Sequence, residues 1–304
     1  MAVRVAEEWL HSCSGCEIAI LNIGEPLVEL LSVLEFVHIP VLMDHKYFGQ
    51  LGDQEHLTIP EADVGIVSGG CANAEHKEVL EEMRKKCKIL IALGTCATHG
   101  GLPALINSWG TEAAYTEAFS TRTTDTPADI PDQGVPKPLD RVYALDEIVP
   151  IDLMVPGCPP NPEHIAAAIL ALLEGKEVKL PSKSVCDTCP TIRKGKGDIK
   201  QVRRFVTNAD FDPNQGIEAM RCLLEQGFMC MGPVTVAGCA RRGAPSCISA
   251  RVPCRGCYGP VLPQGNQMLD MMNALASNGI DFSSVVDRKN LLRFSGAHNK
   301  LRNR

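Results

Sequence analysis

The feature that most constrains this chain is a recurring unit: an apolar strand running into a glycine-containing loop that carries a cysteine. It occurs at 63–71 (DVGIVSGGC), 88–96 (KILIALGTC) and 150–158 (PIDLMVPGC). A C-x2-C pair, Cys13 and Cys16, sits in a matching strand–loop–helix context near the start. Parallel strands deliver their C-terminal loops to one edge of a sheet, where α/β sites form. Cysteines far apart in sequence therefore converge there. Cys13, Cys16, Cys96 and Cys158 supply four thiolates, enough for one [4Fe-4S] cluster.

The 304 residues are enough for one or two domains with ample surface to bury. A net charge of −6 argues against bulk nucleic-acid binding, and 5% aromatics leave little for base stacking. The opening residues show neither a signal-peptide pattern nor a twin-arginine leader. The longest apolar runs, such as IAAAILALL, are too short to span a bilayer. A cytoplasmic chain bound to neither membrane nor nucleic acid is expected. In that compartment fourteen cysteines indicate metal or redox chemistry more than disulfides.

Residues 3–10 read as a strand, although Glu7 and Glu8 interrupt it. Residues 17–34 have helical apolar spacing at Ile18, Leu21, Leu27, Leu30, Leu31 and Leu34, with Pro26 able to split the helix. Glu17 is readable as a first-turn acid favoured by the helix dipole, or as a proton carrier beside a redox site. A second strand is expected at 36–43 and a third at 61–71. The charged helix after it carries Glu81–Lys85 and Glu82–Lys86 spacings, with Cys87 on its inner face. Cys71 ends a strand and lines the same edge. His99, in the loop after Cys96, reads as a hydrogen-bonding histidine. Residues 120–140, rich in Thr, Asp and Pro, read as a long surface loop. Asn161 and Pro162 form a helix start, and Gly175 ends that helix.

After Pro181 the long apolar strands stop and eight cysteines follow. A boundary near residue 180 divides domain 1–180 from domain 181–304, the latter relying on bound clusters for stability. Cys186, Cys189, Cys222 and Cys230 form one set by position, and Cys239, Cys247, Cys254 and Cys257 another. Residues 215–233 look helical. Spacing alone leaves the partition open, and leaves four-cysteine zinc sites open too. Zinc has no redox role, whereas three groups of four thiolates suit a wire. Residues 193–204 carry six basic residues and one acid, a solvated face or a dock for an acidic electron partner.

Taken in order, SCSGCE, GTCATHGG, PGCPPNP, CDTCP, RCLLEQGFMCMGP and VPCRGC resemble the small, electron-transferring subunit of [NiFe] hydrogenases, from residue 9 to about residue 260. The resemblance implies an α/β, flavodoxin-like N-terminal domain with a parallel sheet, and a mostly irregular or helical C-terminal domain built around two clusters. It implies three [4Fe-4S] clusters: proximal on Cys13, Cys16, Cys96 and Cys158; medial on Cys239, Cys247, Cys254 and Cys257; distal on Cys186, Cys189, Cys222 and Cys230. Many members have a histidine where Cys186 stands, and a proline near the medial site with a three-iron cluster. Cys186 and Cys247 therefore imply four-cysteine sites at both.

The sequence has no C-x2-C-x2-C-x3-C-P ferredoxin module and is most similar to the cytoplasmic F420-non-reducing, methyl-viologen-reducing type of methanogenic archaea. That type implies three partners: a large nickel–iron subunit holding the catalytic site, a small [2Fe-2S] subunit and a heterodisulfide reductase. Asp44 falls where F420-reducing relatives carry an aspartate near the proximal cluster. An electron relay of a complex-I-like assembly is the alternative, with a zinc-binding interaction module behind it. The eight C-terminal cysteines argue against the complex-I-like subunit, which holds a single cluster.

Overall fold

The computed structural model describes residues 2–43, 46–49, 51–121, 129–241 and 243–303; Asp44 lies outside them. The chain divides into two units, Met1–Val178 together with Gly296–Arg304, and Lys179–Ser295. The expected domain 181–304 therefore differs at its end, because residues 296–304 belong with the first unit.

The first unit is built on a sheet of five strands: β1 (Val3–Trp9), β2 (Leu34–His38), β3 (Ala62–Ser68), β5 (Cys87–Leu93) and β7 (Leu153–Val155). Their order is β2-β1-β3-β5-β7 and every pairing is parallel. Counted among themselves they run 2-1-3-4-5, the doubly wound order of flavodoxin-like folds. A short antiparallel ribbon, β4 (Cys71–Asn73) with β6 (Pro138–Tyr143), lies outside that sheet. The helices are α1 (Gly15–Leu21), α2 (Glu25–Leu30), α3 (Ala74–Lys86), α4 (Gly94–His99), α5 (Thr111–Phe119) and α6 (Pro162–Leu173).

The sheet forms where apolar runs can be buried on both faces. Ile66, Val67, Leu90, Ile91 and Ala92 are all buried. Gly65 sits mid-strand because a Cβ there would come within 2.6 Å of Cys87 Sγ and 2.8 Å of Leu90 Cδ1. Cys87 is thus a core residue, but it opens β5 rather than lying on α3.

Several expected elements shift. The helix expected over 17–34 is two helices, because Gly24 turns the chain at φ +76° and Pro26 starts a new first turn. β2 spans Leu34–His38 rather than 36–43; among the described residues it pairs only with β1, from Val3↔Leu34 to Ala6↔His38, and Pro40 cannot extend the ladder. On α3 the ion pairs are Lys77–Glu81 (3.9 Å) and Glu82–Lys85 (3.5 Å), not the expected spacings. Residue 71 does not continue β3; Cys71 pairs with Tyr143 across the ribbon and is buried in the core. Asn161 caps α6, its Oδ1 accepting from the Glu163 N–H (3.2 Å), and Gly175 follows at φ +63°.

The second unit has little regular structure: β8 (Ala240–Arg241) with β9 (Ala244–Pro245), the single turn α7 (Ser246–Ser249), and α8 (Gln267–Ser277). Leu223, Phe228, Met231, Met271 and Leu275 centre its core. The stretch 215–233 is not a helix. It holds a 3-10 turn at Ile217–Ala219 and then loops, because Gln226 Nε2 donates to Arg221 O (2.9 Å) and Asp210 O (3.2 Å) and Gly227 turns at φ +89°.

Beyond this unit, residues 296–303 return to the first one. Ala297 N–H donates to His99 O (3.2 Å), and His298 Nε2 meets the Asp146 carboxylate at 2.9 Å. No helix among the described residues is long and apolar enough to cross a membrane.

Candidate functional site

Three loops at the C-terminal edge of the parallel sheet carry the first cysteine set. Cys13 and Cys16 follow β1, with Cys16 in the first turn of α1; Cys96 is in α4 directly after β5; Cys158 follows β7. They are close enough for their charges to matter to one another. Burial raises the Cys16 thiol above the usual range, and electrostatic repulsion from Glu17, Cys96, Cys13 and Cys158 raises it further. Burial pushes Cys96 up to about 12, with Cys158 and Cys13 adding to it, and Cys158 is raised by burial and by Cys13. As thiolates the four would repel one another, and a cationic core between them would offset that repulsion.

The backbone around these sulfurs is shaped for close approach. A Cβ at Gly94 (φ +83°) would overlap Cys16 Sγ, and one at Gly101 (φ +52°) would lie 2.6 Å from Cys96 Sγ. The Gly15 N–H donates to Cys13 Sγ (3.4 Å). Among the described residues no three His, Cys, Asp or Glu side chains converge on a point that would hold a single metal ion. A four-iron core does not ask for that, since each thiolate binds its own iron. The soft donors, the glycine cradle and the backbone donor to sulfur fit such a group.

Glu17 lies beside this edge. Ser68 Oγ donates to Glu17 Oε1 (2.5 Å), while Oε2 is buried without a hydrogen-bond partner. Cys71 is not part of the set; burial pushes it up to about 12, and the charges it meets are Lys77 and Glu81. His99 is buried at the end of α4, its Nδ1 sharing a hydrogen bond with Thr98 Oγ1 (2.6 Å); burial lowers it to about 3, so it is neutral.

In the second unit several cysteines lie within electrostatic reach of one another. Burial pushes Cys186 up to about 11; Arg193 pulls it back, and Cys222 and Cys189 push it further. Burial takes Cys230 to about 12, with Cys222 and Cys186 among its neighbours. Gly232 fits against these sulfurs, where a Cβ would be 3.2 Å from Cys186 Sγ and 3.6 Å from Cys230 Sγ. In the other group Cys254 is raised well above a normal thiol by burial, then by Cys230, Cys257 and Cys247; Cys239 is raised by burial and by Cys247. One contact joins the groups: the Cys254 N–H donates to Cys230 Sγ at 3.4 Å.

Sequence reasoning missed the residues that hold these loops. Buried Glu225 accepts from the Lys194 and Gly195 N–H groups, both at 2.8 Å, and so pins the basic segment beside Cys186. Thr191 Oγ1 lies 3.2 Å from Cys189 Sγ. The position of Thr191 two residues after a C-x2-C pair was the available signal; Glu225 gave none.

Residues 13–172 match the family described as NADH ubiquinone oxidoreductase, 20 Kd subunit. Over a longer span the chain is 38% identical across 280 residues to a subunit of the F420-non-reducing hydrogenase of Methanothermobacter marburgensis, covering 91% of this chain and 84% of that one. The chain belongs to the [NiFe]-hydrogenase small-subunit family. It is also 38% identical over 293 residues to a vhu subunit of the F420-non-reducing hydrogenase of Methanocaldococcus jannaschii, covering 96% of this chain and 94% of that one. Among solved structures, a chain of an NAD+-reducing [NiFe]-hydrogenase aligns at TM-score 0.54 and 34% identity, over 60% of this chain and 96% of that one. A chain of the Ni-Fe-Se hydrogenase from Desulfomicrobium baculatum shares the fold at TM-score 0.51 and 19% identity, over 87% of this chain and 96% of that one. Family membership and fourteen cysteines together point to iron–sulfur chemistry.

Proposed function

We propose that the chain is the electron-transferring small subunit of a cytoplasmic [NiFe] hydrogenase, with three [4Fe-4S] clusters held by the twelve cysteines above. The observation that supports this is the electrostatic proximity of the cysteines: Cys16 to Cys96, Cys13 and Cys158; Cys186 and Cys230 to Cys222; Cys254 to Cys230, Cys257 and Cys247. The sheet-edge group belongs to the first unit, and the other two belong to the second and touch through the Cys254–Cys230 contact. When bound, the clusters supply one-electron transfer from hydrogen oxidation in a partner nickel–iron subunit to a downstream [2Fe-2S] subunit and heterodisulfide reductase. The protein's own contribution is to bury the thiols, present backbone N–H groups to sulfur and exclude water. At the sheet edge Glu17, oriented by Ser68, holds and passes protons.

The family matched by residues 13–172 carries the name of a NADH–ubiquinone oxidoreductase subunit, so the first unit alone is compatible with a relay in a complex-I-like setting. The eight cysteines beyond residue 180 and the near full-length similarity to F420-non-reducing hydrogenase subunits favour the hydrogenase. Metal and sulfide analysis with EPR of the purified complex tests the reading. About twelve irons in this chain are expected, four for each group of four cysteines. Stoichiometric zinc without broad visible absorption would eliminate it.

A further inference from the structure

The first residue of α8 is a glutamine with no exposed surface, Gln267. Its place follows from the helix. Asn266 caps α8, its Oδ1 accepting from the Met268 N–H (3.0 Å) and the Leu269 N–H (3.3 Å). Met271 and Leu275, one and two turns further on, are wholly buried in the core of the second unit. Gln267 shares that inward face. A primary amide placed there must find partners for both of its ends.

It finds them. Nε2 donates to Val234 O (3.3 Å), Thr235 Oγ1 (3.2 Å) and Gly256 O (3.3 Å), and Oε1 accepts from Ser295 Oγ (2.8 Å). Two carbonyls can be served only by the nitrogen end, so the orientation of the amide is fixed. Thr235 Oγ1 gives its own hydrogen to Met231 O (2.6 Å), which leaves its lone pairs for Nε2. A buried network satisfied in this way specifies a single arrangement of the segments it joins.

Those segments carry cysteines of two different sets. Val234 and Thr235 belong to the turn at Gly232–Val234 that follows Cys230. Gly256 stands between Cys254 and Cys257. It turns at φ +87°, and a Cβ there would lie 3.4 Å from Gln267 Nε2 and 3.5 Å from Met231, so glycine lets loop, turn and amide close on one another. The two segments also meet directly. The Met231 N–H donates to Cys254 O (3.0 Å), and the Cys254 N–H donates to Cys230 Sγ (3.4 Å). The Gln267 amide is a third tie across the same pair.

An N–H aimed at a ligand sulfur stabilises the reduced state of the cluster bound there, and such bonds help set its potential. The bond weakens as donor and acceptor draw apart. Here donor and acceptor stand on different segments, so the bond holds only while the segments keep their mutual position.

We propose that Gln267 is a positioning residue: it holds the turn after Cys230 against the Cys254–Cys257 loop, keeps the Cys254 N–H on Cys230 Sγ, and so raises the potential of the cluster that Cys230 binds. The proposal rests on the reading of these cysteines as cluster ligands. Gln267 acts through backbone groups and a hydroxyl, and itself carries neither electrons nor protons.

The test is an EPR-monitored redox titration of the purified holo-complex, with iron analysis, for wild type, Gln267→Met and Ser295→Ala. Gln267→Met keeps the length of the side chain and removes the whole amide network. Ser295→Ala removes only the tie on Oε1. In Gln267→Met one cluster potential should move down, its reduced-to-oxidised ratio at fixed potential falling about two- to tenfold, the range of one hydrogen bond. The other two potentials should hold, with about twelve irons retained. Ser295→Ala should shift the same cluster in the same direction by less, so the answer does not depend on one variant folding. Unchanged potentials in Ser295→Ala or in fully loaded Gln267→Met would overturn this proposal alone. Equal shifts of two clusters, or iron lost from both, would reduce Gln267 to a packing role and overturn it too. A wild-type complex without three clusters in this chain would instead overturn the reading on which the proposal rests.

Discussion

At the scale of single residues, Cys247 gives the sharpest expectation. It occupies the first turn of α7, after Ser246, where a proline is tolerated because the amide of that position has no intrahelical partner. Its carbonyl still accepts from the Val252 N–H (3.0 Å), a bond that proline preserves. Cys247→Pro should therefore fold and remove one thiolate from the medial group. EPR of the oxidised variant should show a three-iron signal absent from wild type, with the other two clusters retained; three intact cubanes would exclude Cys247 as a ligand. Glu7 gives an expectation in stability. Burial above all, then Glu17 and Glu8, lift its folded pKa to about 8 from the ordinary value of 4.5, so its contribution is complete below about pH 4.5 and is lost as pH rises through about 8. Each unit of such a shift is worth up to about 1.4 kcal/mol. Thermal unfolding from about pH 6 to 9 should show wild type losing stability relative to Glu7→Gln, and parallel curves would refute the buried protonated state. That the cysteines after β1, β5 and β7 share one sheet edge was legible because parallel strands deliver their C-terminal loops there. Glu7 was not, since a charged residue in a strand pattern reads as noise until both faces are seen to be covered.

At the scale of elements, β3 and β5 were legible because parallel strands covered on both faces are written as unbroken apolar runs. The break between α1 and α2 was only half written: Pro26 was visible, whereas the left-handed turn at Gly24 is a backbone choice that periodicity does not encode. The segment 215–233 misled for a different reason. Its apolar spacing is helical, but Gln226 and Gly227 hold loops that suit Cys222 and Cys230, so local propensity yields to tertiary demand. The start of α6 illustrates the opposite case, where one side chain sets an element boundary. Asn161 is buried and its cap lies three residues after Cys158. Asn161→Ala should cost about 1 kcal/mol of stability, measurable by denaturant unfolding. It should also loosen iron retention in the sheet-edge group before the other two, which iron release under chelator would reveal.

At the scale of the whole molecule, charge distribution bears on partner choice. Lys194, Lys196 and Lys200 are exposed on the segment that Glu225 and Arg193 tie to the Cys186 group. On a chain with net charge −6 such a basic stretch is a local exception, suited to an acidic electron acceptor. Reversing the three lysines to glutamate should slow reduction of that acceptor roughly tenfold at low ionic strength. The difference should shrink as salt approaches about 1 M, where screening acts within about 3 Å; a salt-independent defect would argue against docking. The division into two units was legible as a change of texture near residue 180, but the return of residues 296–303 was not, because nothing in their composition names the surface they pack on. That return has a consequence for biosynthesis. The ribosome makes residues 179–295 before the segment that donates to His99 at the end of α4, so the unit begun first is completed last. A growing chain therefore forms the helix bearing Cys96 well before the C-terminal segment that packs on it exists.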